Sequence, residues 1–220
     1  MLSIEETLIV TLAYFKTNMT QAAIGEVVGV SQPTVSRIIS SMERTVEKAL
    51  ADCVMDEEVL ADTSAKTALV TDGTLMPCWS WKSNPELYSG KHHTTGHNHQ
   101  VIATLEGHLC YISDPLPGST HDITAMRTHH LDDLLDVANT VADKGYIGSG
   151  MITPLKKPQS RDLDDAEKNR NAGINKIRYV IEQVIANIKT WRLFHTDYRR
   201  PLKTYAQAFK TYQQFQMKFW

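Results

Sequence analysis

The sequence is poor in the features that mark a secreted, membrane or disulfide-built protein. Its 220 residues contain only three cysteines, Cys53, Cys78 and Cys110, with no Cys-x-x-Cys pair. An odd number of widely spaced thiols makes neither a disulfide framework nor a zinc site, and suits a reducing cytosol. No apolar run approaches the roughly 20 residues that a membrane span needs. The N-terminus lacks the order of basic segment, apolar stretch and small-residue cleavage site that makes a secretory signal. Internal repeats and low-complexity segments are absent. What remains is an ordinary globular composition, 42% hydrophobic and 22% charged. That is enough chain for one domain plus a small one.

The net charge of -2 conceals an asymmetry. Residues 145–220 carry 14 Lys and Arg against 6 Asp and Glu, whereas the rest carries 9 against 19. A basic C-terminal third suits a phosphate-rich polymer; the plain alternative is a solvated charged surface.

Helical signals fill the first fifty residues. Leu8, Val10, Leu12 and Phe15 repeat at helical period from Ile4 to Phe15. Thr20 can cap Gln21–Val28, Gly29-Val30 can turn, and Ser31 can cap a third helix from Gln32 to about Leu50, with Pro33 harmless in its first turn. This is the layout of a helix-turn-helix, with Ile24, Val30, Val35 and Ile38 as its internal packing. Gln32, Thr34, Ser36 and Arg37 would project from the start of the last helix, the side-chain types that reach base edges and phosphates. The segment is near neutral, so tight DNA binding would need the rest of the chain or a second copy. We divide the chain into a helix-turn-helix domain over 1–50, an acidic connector over 51–66, and a second domain over 67–220.

The second domain reads as α/β. Thr67–Thr74, His99–Leu105 and Leu109–Ser113 are strand-like, the last two joined around Glu106-Gly107. Asp122–Leu135 is helical, Asn139–Asp143 is a short strand, and Met151–Leu155 is a further candidate. Pro158–Asp165 is a polar loop, and helices follow over about Ala166–Trp191 and Leu202–Phe219. A three-strand meander followed by helix, strand and helix gives a mixed sheet flanked by helices, the element order of an RNase H-like fold.

Asp72 and Asp143 end two strands that this order sets side by side. Two converging carboxylates repel, and divalent cations relieve that repulsion. On the long helix, Arg178, Glu182 and Lys189 fall within roughly 40° of one another, beside the apolar stripe Ile174, Ile177, Ile181, Val184 and Ile188. A third acid, Glu182, is thereby offered to the same edge. The plain alternative is an Arg178–Glu182 ion pair along the helix. Asp122 begins a helix, which makes capping its first reading and an outer acid of the site its second. His92, His93, His97 and His99 lack a cysteine at zinc-site spacing, and read as a loop near DNA with Lys91 on a phosphate. Trp79 and Trp81 share a face if extended. Burial is their first reading, and stacking on an unpaired base is their second.

Several stretches, in order over about 120 residues, resemble one family. They are Thr71-Asp72-Gly73-Thr74, Tyr88-Ser89-Gly90-Lys91-His92, Gly118-Ser119-Thr120-His121-Asp122, Ala142-Asp143-Lys144-Gly145-Tyr146, and Arg178-x3-Glu182-x6-Lys189. The sequence resembles the DDE-type transposases of bacterial insertion sequences, and within them is most similar to the DDE superfamily endonuclease group related to Harbinger elements. Asn175 departs from that pattern, standing where several related transposases carry Tyr.

The resemblance implies an RNase H-like catalytic core with Asp72, Asp143 and Glu182 as catalytic and metal-holding acids. It implies two Mg²⁺ or Mn²⁺ ions, and cleavage and strand transfer at the ends of an insertion element. Lys91, Arg178 and Lys189 join the reader residues as expected DNA contacts. The expected partners are double-stranded DNA, both element ends and target, and further copies of the chain, as a homodimer or higher oligomer on DNA. The expected location is the cytoplasm, on DNA. Two other functions fit the same residues: a catalytically inactive DNA-binding regulator, and an RNase H-like nuclease that cuts without joining.

Overall fold

A computed structural model describes residues 2–53, 56–79 and 84–219. Helix α1 (Ile4–Thr17) starts in a capping box, with the Ser3 hydroxyl accepting from the Glu6 N–H and Glu6 reaching back to the Ser3 N–H. Helix α2 (Gln21–Val28) is capped by Thr20, whose hydroxyl accepts from the Ala23 N–H at 3.2 Å, and ends at Gly29 with φ +71°. Helix α3 (Gln32–Ala49) follows. Gly25 lets the turn close: a Cβ there would lie 2.5 Å from the Val30 carbonyl oxygen. Ser31 departs from the expected cap, its hydroxyl bonding the Thr34 hydroxyl instead of a helix N–H.

The stretch expected as a connector holds helix α4 (Glu57–Lys66), capped by Asp56 and fixed by fully buried Leu60. Strands β1 (Leu69–Pro77), β2 (Tyr88–Ser89), β3 (Thr94–Thr104), β4 (Leu109–Ile112) and β5 (Leu116–Pro117) come next. Helices α5 (Asp122–Thr128) and α6 (Leu131–Leu134) replace the single helix expected there, because His130 turns the chain at φ +52°. Strand β6 (Thr140–Val141), the long helix α7 (Asp165–Ile188) and helix α8 (Tyr205–Phe219) complete the order.

The mixed α/β architecture expected from the sequence is present. The sheet runs β2-β3-β1-β6, with β4 and β5 also paired to β3. Strands β1 and β3 are antiparallel, while β6 joins β1 in parallel. Side chains alternate between faces along β3. Its half-buried His97 and buried His99 stack on Tyr205 and Phe209 of α8, with ring centroids 3.9 and 4.0 Å away. These two histidines are core pieces rather than loop residues near DNA, a correction that follows from β3 starting five residues earlier than its periodicity indicates.

Helices α1 to α3 and the sheet share one apolar core. Phe15 of α1 sits edge-on to Phe194 and Phe215, and the same cluster continues through Val35, Val101, Ile181 and Phe209. A buried ion pair, Glu43 of α3 with Arg200, adds a polar tie. Among the described residues, no helix is long and apolar enough to cross a membrane.

Candidate functional site

The parallel pairing of β1 and β6 brings the first two acids together. Leu69 faces Thr140 and Val70 faces Val141. Asp72 and Asp143 each lie two residues farther on, so they stand at the same level, just past the end of β6. Asp72 does not end its strand as expected; β1 runs on to Pro77. Asp143 follows β6 and caps a short turn, with Oδ1 accepting from the Gly145 N–H at 2.6 Å.

The Asp72 carboxylate is enclosed. Its Oδ1 accepts from the Gly73 N–H at 2.8 Å, and its Oδ2 accepts from Arg178 Nη2 at 2.9 Å. Burial pushes its pKa up to about 6; Arg178 and Lys91 work against that rise, and the charges of Asp143 and Asp122 add to it. Arg178 thus does not make the alternative i,i+4 pair with Glu182, and crosses to the sheet. Lys189, at the end of α7, also feels Asp72: burial lowers the ammonium's pKa and Asp72 opposes the shift.

Glu182 is exposed and makes no hydrogen bond or ion pair among the described residues. Nor, among those residues, does any group of three or more His, Cys, Asp and Glu stand ready to hold a metal ion. The structure therefore gathers Asp72 and Asp143 and leaves Glu182 exposed on the surface of α7, outside any such group. In donor chemistry the pair fits a divalent cation: hard oxygens only, from two carboxyl groups side by side where β6 ends. Two cationic side chains, Arg178 and Lys91, are already drawn to this acidic end.

Asp122 joins the acids, a placement that its capping reading missed. The N-cap of α5 is His121, while Asp122 Oδ2 accepts from Lys91 Nζ at 2.9 Å. Lys91 meets a carboxylate here, where a phosphate was expected. Burial works to lower its pKa, but Asp122, then Asp143 and Asp72, raise it overall. A glycine directly after Asp72 and another two residues after Asp143 were the available signals that a third group sits close by.

At the start of α3, Gln32 and Arg37 are exposed, and Thr34 and Ser36 half-buried. Gln32 Nε2 donates to Gln21 Oε1 at 2.8 Å, and Arg37 Nη2 to the Thr34 hydroxyl at 3.3 Å. Gln32 and Ser36 border a cleft of about 620 Å³ that Trp79 and Arg199 close from the other side. Trp79 is 52% exposed, which overturns its reading as core; Trp81 lies outside the described residues. Arg200 beside it is spent on Glu43, so only part of the basic C-terminal third is available to phosphate.

Comparison with known proteins gives the family. Residues 71–212 match the family model described as DDE superfamily endonuclease, and residues 1–52 match the helix-turn-helix of DDE superfamily endonuclease. The chain is similar to the putative transposase for insertion sequence element IS112 of Streptomyces albus G. Identity is 25% over 194 residues, 87% of this chain and 71% of that protein. It is also similar to the probable transposase for insertion sequence element IS702 of Microchaete diplosiphon, with 25% identity over 205 residues, 90% of this chain and 74% of the relative. No solved structure matches.

Proposed function

The chain belongs to the DDE superfamily endonucleases, and from that membership we propose that it is a transposase that cuts DNA at the ends of an insertion sequence and joins the freed end to a new site. The observation that carries this reading is the parallel β1–β6 pairing, which sets Asp72 beside Asp143 at one end of the sheet. Residues 67–220 form the catalytic part, and 1–50 the part that chooses the DNA.

Asp72, Asp143 and Glu182 would hold Mg²⁺ or Mn²⁺, two ions in the full site. Bound divalent ions supply charge neutralisation of the acids and of the phosphate oxygens under attack. The rest is done by the chain. Asp72 and Asp143 are fixed by their strands and by backbone N–H groups, so no reorganisation is needed to present them. Glu182 turns from the α7 surface to complete the set. Arg178 and Lys189 hold phosphate along the same helix, one as a planar fork and the other as a point charge. In the reaction, an oxygen of water or of a DNA 3′-hydroxyl bonds to phosphorus as the opposite P–O bond breaks. The attacking oxygen loses its proton and the departing oxygen takes one up.

Gln32, Thr34, Ser36 and Arg37 read and grip double-stranded DNA in the major groove. The reader's near-neutral charge supports action as a homodimer or higher oligomer, since phosphate contacts add across copies. Asp72→Asn, assayed for strand cleavage of element-end DNA in Mg²⁺, tests the proposal; undiminished cleavage by the variant overturns it. A catalytically silent DNA-binding regulator is the second reading, favoured by the exposure of Glu182 and by its forming no three-acid group with Asp72 and Asp143 among the described residues. Metal-dependent nicking separates the two.

A further inference from the structure

We propose that Asp122 is a positioning residue of the reaction, holding the Lys91 ammonium at the Asp72–Asp143 end of the sheet, where Lys91 grips a phosphate of the DNA. The inference rests on the nuclease reading above.

The first observation is steric. A Cβ on Gly73 would lie 2.2 Å from Asp122 Oδ1, and one on Gly145 would lie 3.0 Å from Asp122 Oδ2 and 2.8 Å from Asp143 Oδ1. The Asp122 carboxylate thus occupies two spaces that exist only because both neighbours are glycine. Asp72 and Gly73 alternate along β1, so Asp72 points to α7 and the vacant side of Gly73 to the opposite face. Asp122 enters through that vacancy. The glycines that follow the two acids in sequence are the seat of a third carboxylate.

The second observation is a line of donors. The Tyr146 hydroxyl donates to Gln100 Oε1. Gln100 Nε2 donates to Asn98 Oδ1 at 3.2 Å, and Asn98 Nδ2 donates to the Thr120 carbonyl at 2.8 Å and stands 3.5 Å from Asp122 Oδ1. Tyr146, Gln100 and Asn98 are all buried. Every amide in the line is oriented with its N–H toward Asp122, which holds the carboxylate in one place.

The third observation is the partner. The Lys91 side chain is 54% exposed, whereas that of Asp122 is 10% exposed. A surface lysine in an ion pair is normally held weakly. Here the anion cannot move, so the ammonium is anchored at 2.9 Å in the combined field of Asp122, Asp143 and Asp72. Asp122 takes one of its three protons. The pair borders a cavity of about 160 Å³ together with Ser89 and Ser119, space in which a phosphate oxygen can accept another.

The first test needs no catalysis. The full chain is labelled with acetic anhydride, and modification of Lys91 is read by mass spectrometry against exposed Lys203. Asp122→Asn should raise the Lys91 to Lys203 ratio by about threefold or more, as release from a charge-assisted bond requires. Gly145→Ala, which crowds Asp122 from its seat, should do the same and carries the arm if Asp122→Asn does not fold. An unchanged ratio in the folded variants overturns the proposal. The second test measures nicking of supercoiled plasmid in Mg²⁺ by Lys91→Met, Asp122→Asn and the double variant. Each single change should lower kcat by about tenfold or more, and the double variant should lose no more than the worse single one, because Asp122 acts through Lys91. Losses that multiply overturn the link. A parent chain that gives the labelling result but nicks no plasmid sinks the nuclease reading and the phosphate role together, while Asp122 still places Lys91.

Discussion

Arg178 Nη2 donates to Asp72 Oδ2 at 2.9 Å, and both side chains are only 15% exposed. The bond spans 106 residues and bypasses Glu182, the acid one turn along the same helix. Arg178 Nε is left buried without a partner. Even with this guanidinium beside it, burial keeps the Asp72 pKa at about 6.

That shift has a sign in stability. Between about pH 4 and 6 the folded chain keeps a proton on Asp72 that the unfolded chain has lost. Stability from this group therefore falls as pH rises through that window, by about 3 kcal/mol in all. Asp72→Asn cannot titrate there. Urea unfolding in EDTA should show the parent losing ground to Asp72→Asn by about that amount from pH 4 to pH 7. A constant difference between the two would contradict the burial of Asp72.

Glu182 separates folding from catalysis. It is exposed and makes no hydrogen bond or ion pair among the described residues, so Glu182→Gln should leave unfolding within about 0.5 kcal/mol of the parent. If it completes the metal set, the same change should cut Mg²⁺-dependent strand cleavage by about 100-fold. Stability and cleavage measured on one preparation give the answer; full cleavage removes Glu182 from the site.

His97 and His99 should make the protein acid-sensitive well above the carboxylate range. Burial lowers their pKa to about 4 and about 3. His99 Nδ1 faces the Ser113 carbonyl and Nε2 faces the Tyr205 hydroxyl, both at 2.9 Å. The carbonyl can only accept, so Nδ1 bears the proton and Nε2 accepts from Tyr205. The unfolded chain binds protons at these sites below about pH 6.5 and the folded chain does not. Stability from them is complete above that pH and falls by up to about 2 kcal/mol each by pH 5. Thermal melts at pH 7 and pH 5 should show the loss, and His99→Gln should remove roughly half of it.

Glu43 and Arg200 join the reader to the C-terminal segment with side chains 2% and 10% exposed. Glu43→Ala should destabilise the chain by about 3 kcal/mol, mainly by stranding a buried guanidinium. The double variant Glu43→Ala/Arg200→Ala should recover part of that loss in a urea double-mutant cycle. If the two single losses add without recovery, the pair is not coupled.

The sequence by itself determined what depends on neighbours along the chain. Thr20 and Gly29 bracket α2 at the positions found, because capping groups satisfy only the backbone within their own turn. The element order was enough to set β1 beside β6, and with it Asp72 beside Asp143. Residues 57–66 looked like a connector because the apolar side that makes them a helix is one residue, Leu60, held by a core assembled elsewhere. Only the tertiary structure decided which charges meet. Arg178 chose Asp72 over Glu182, Lys91 found Asp122, and Trp79 stayed at the cleft wall. Such choices turn on which groups are driven out of water together, and burial is fixed by packing between segments 31 to 106 residues apart, which no local period encodes.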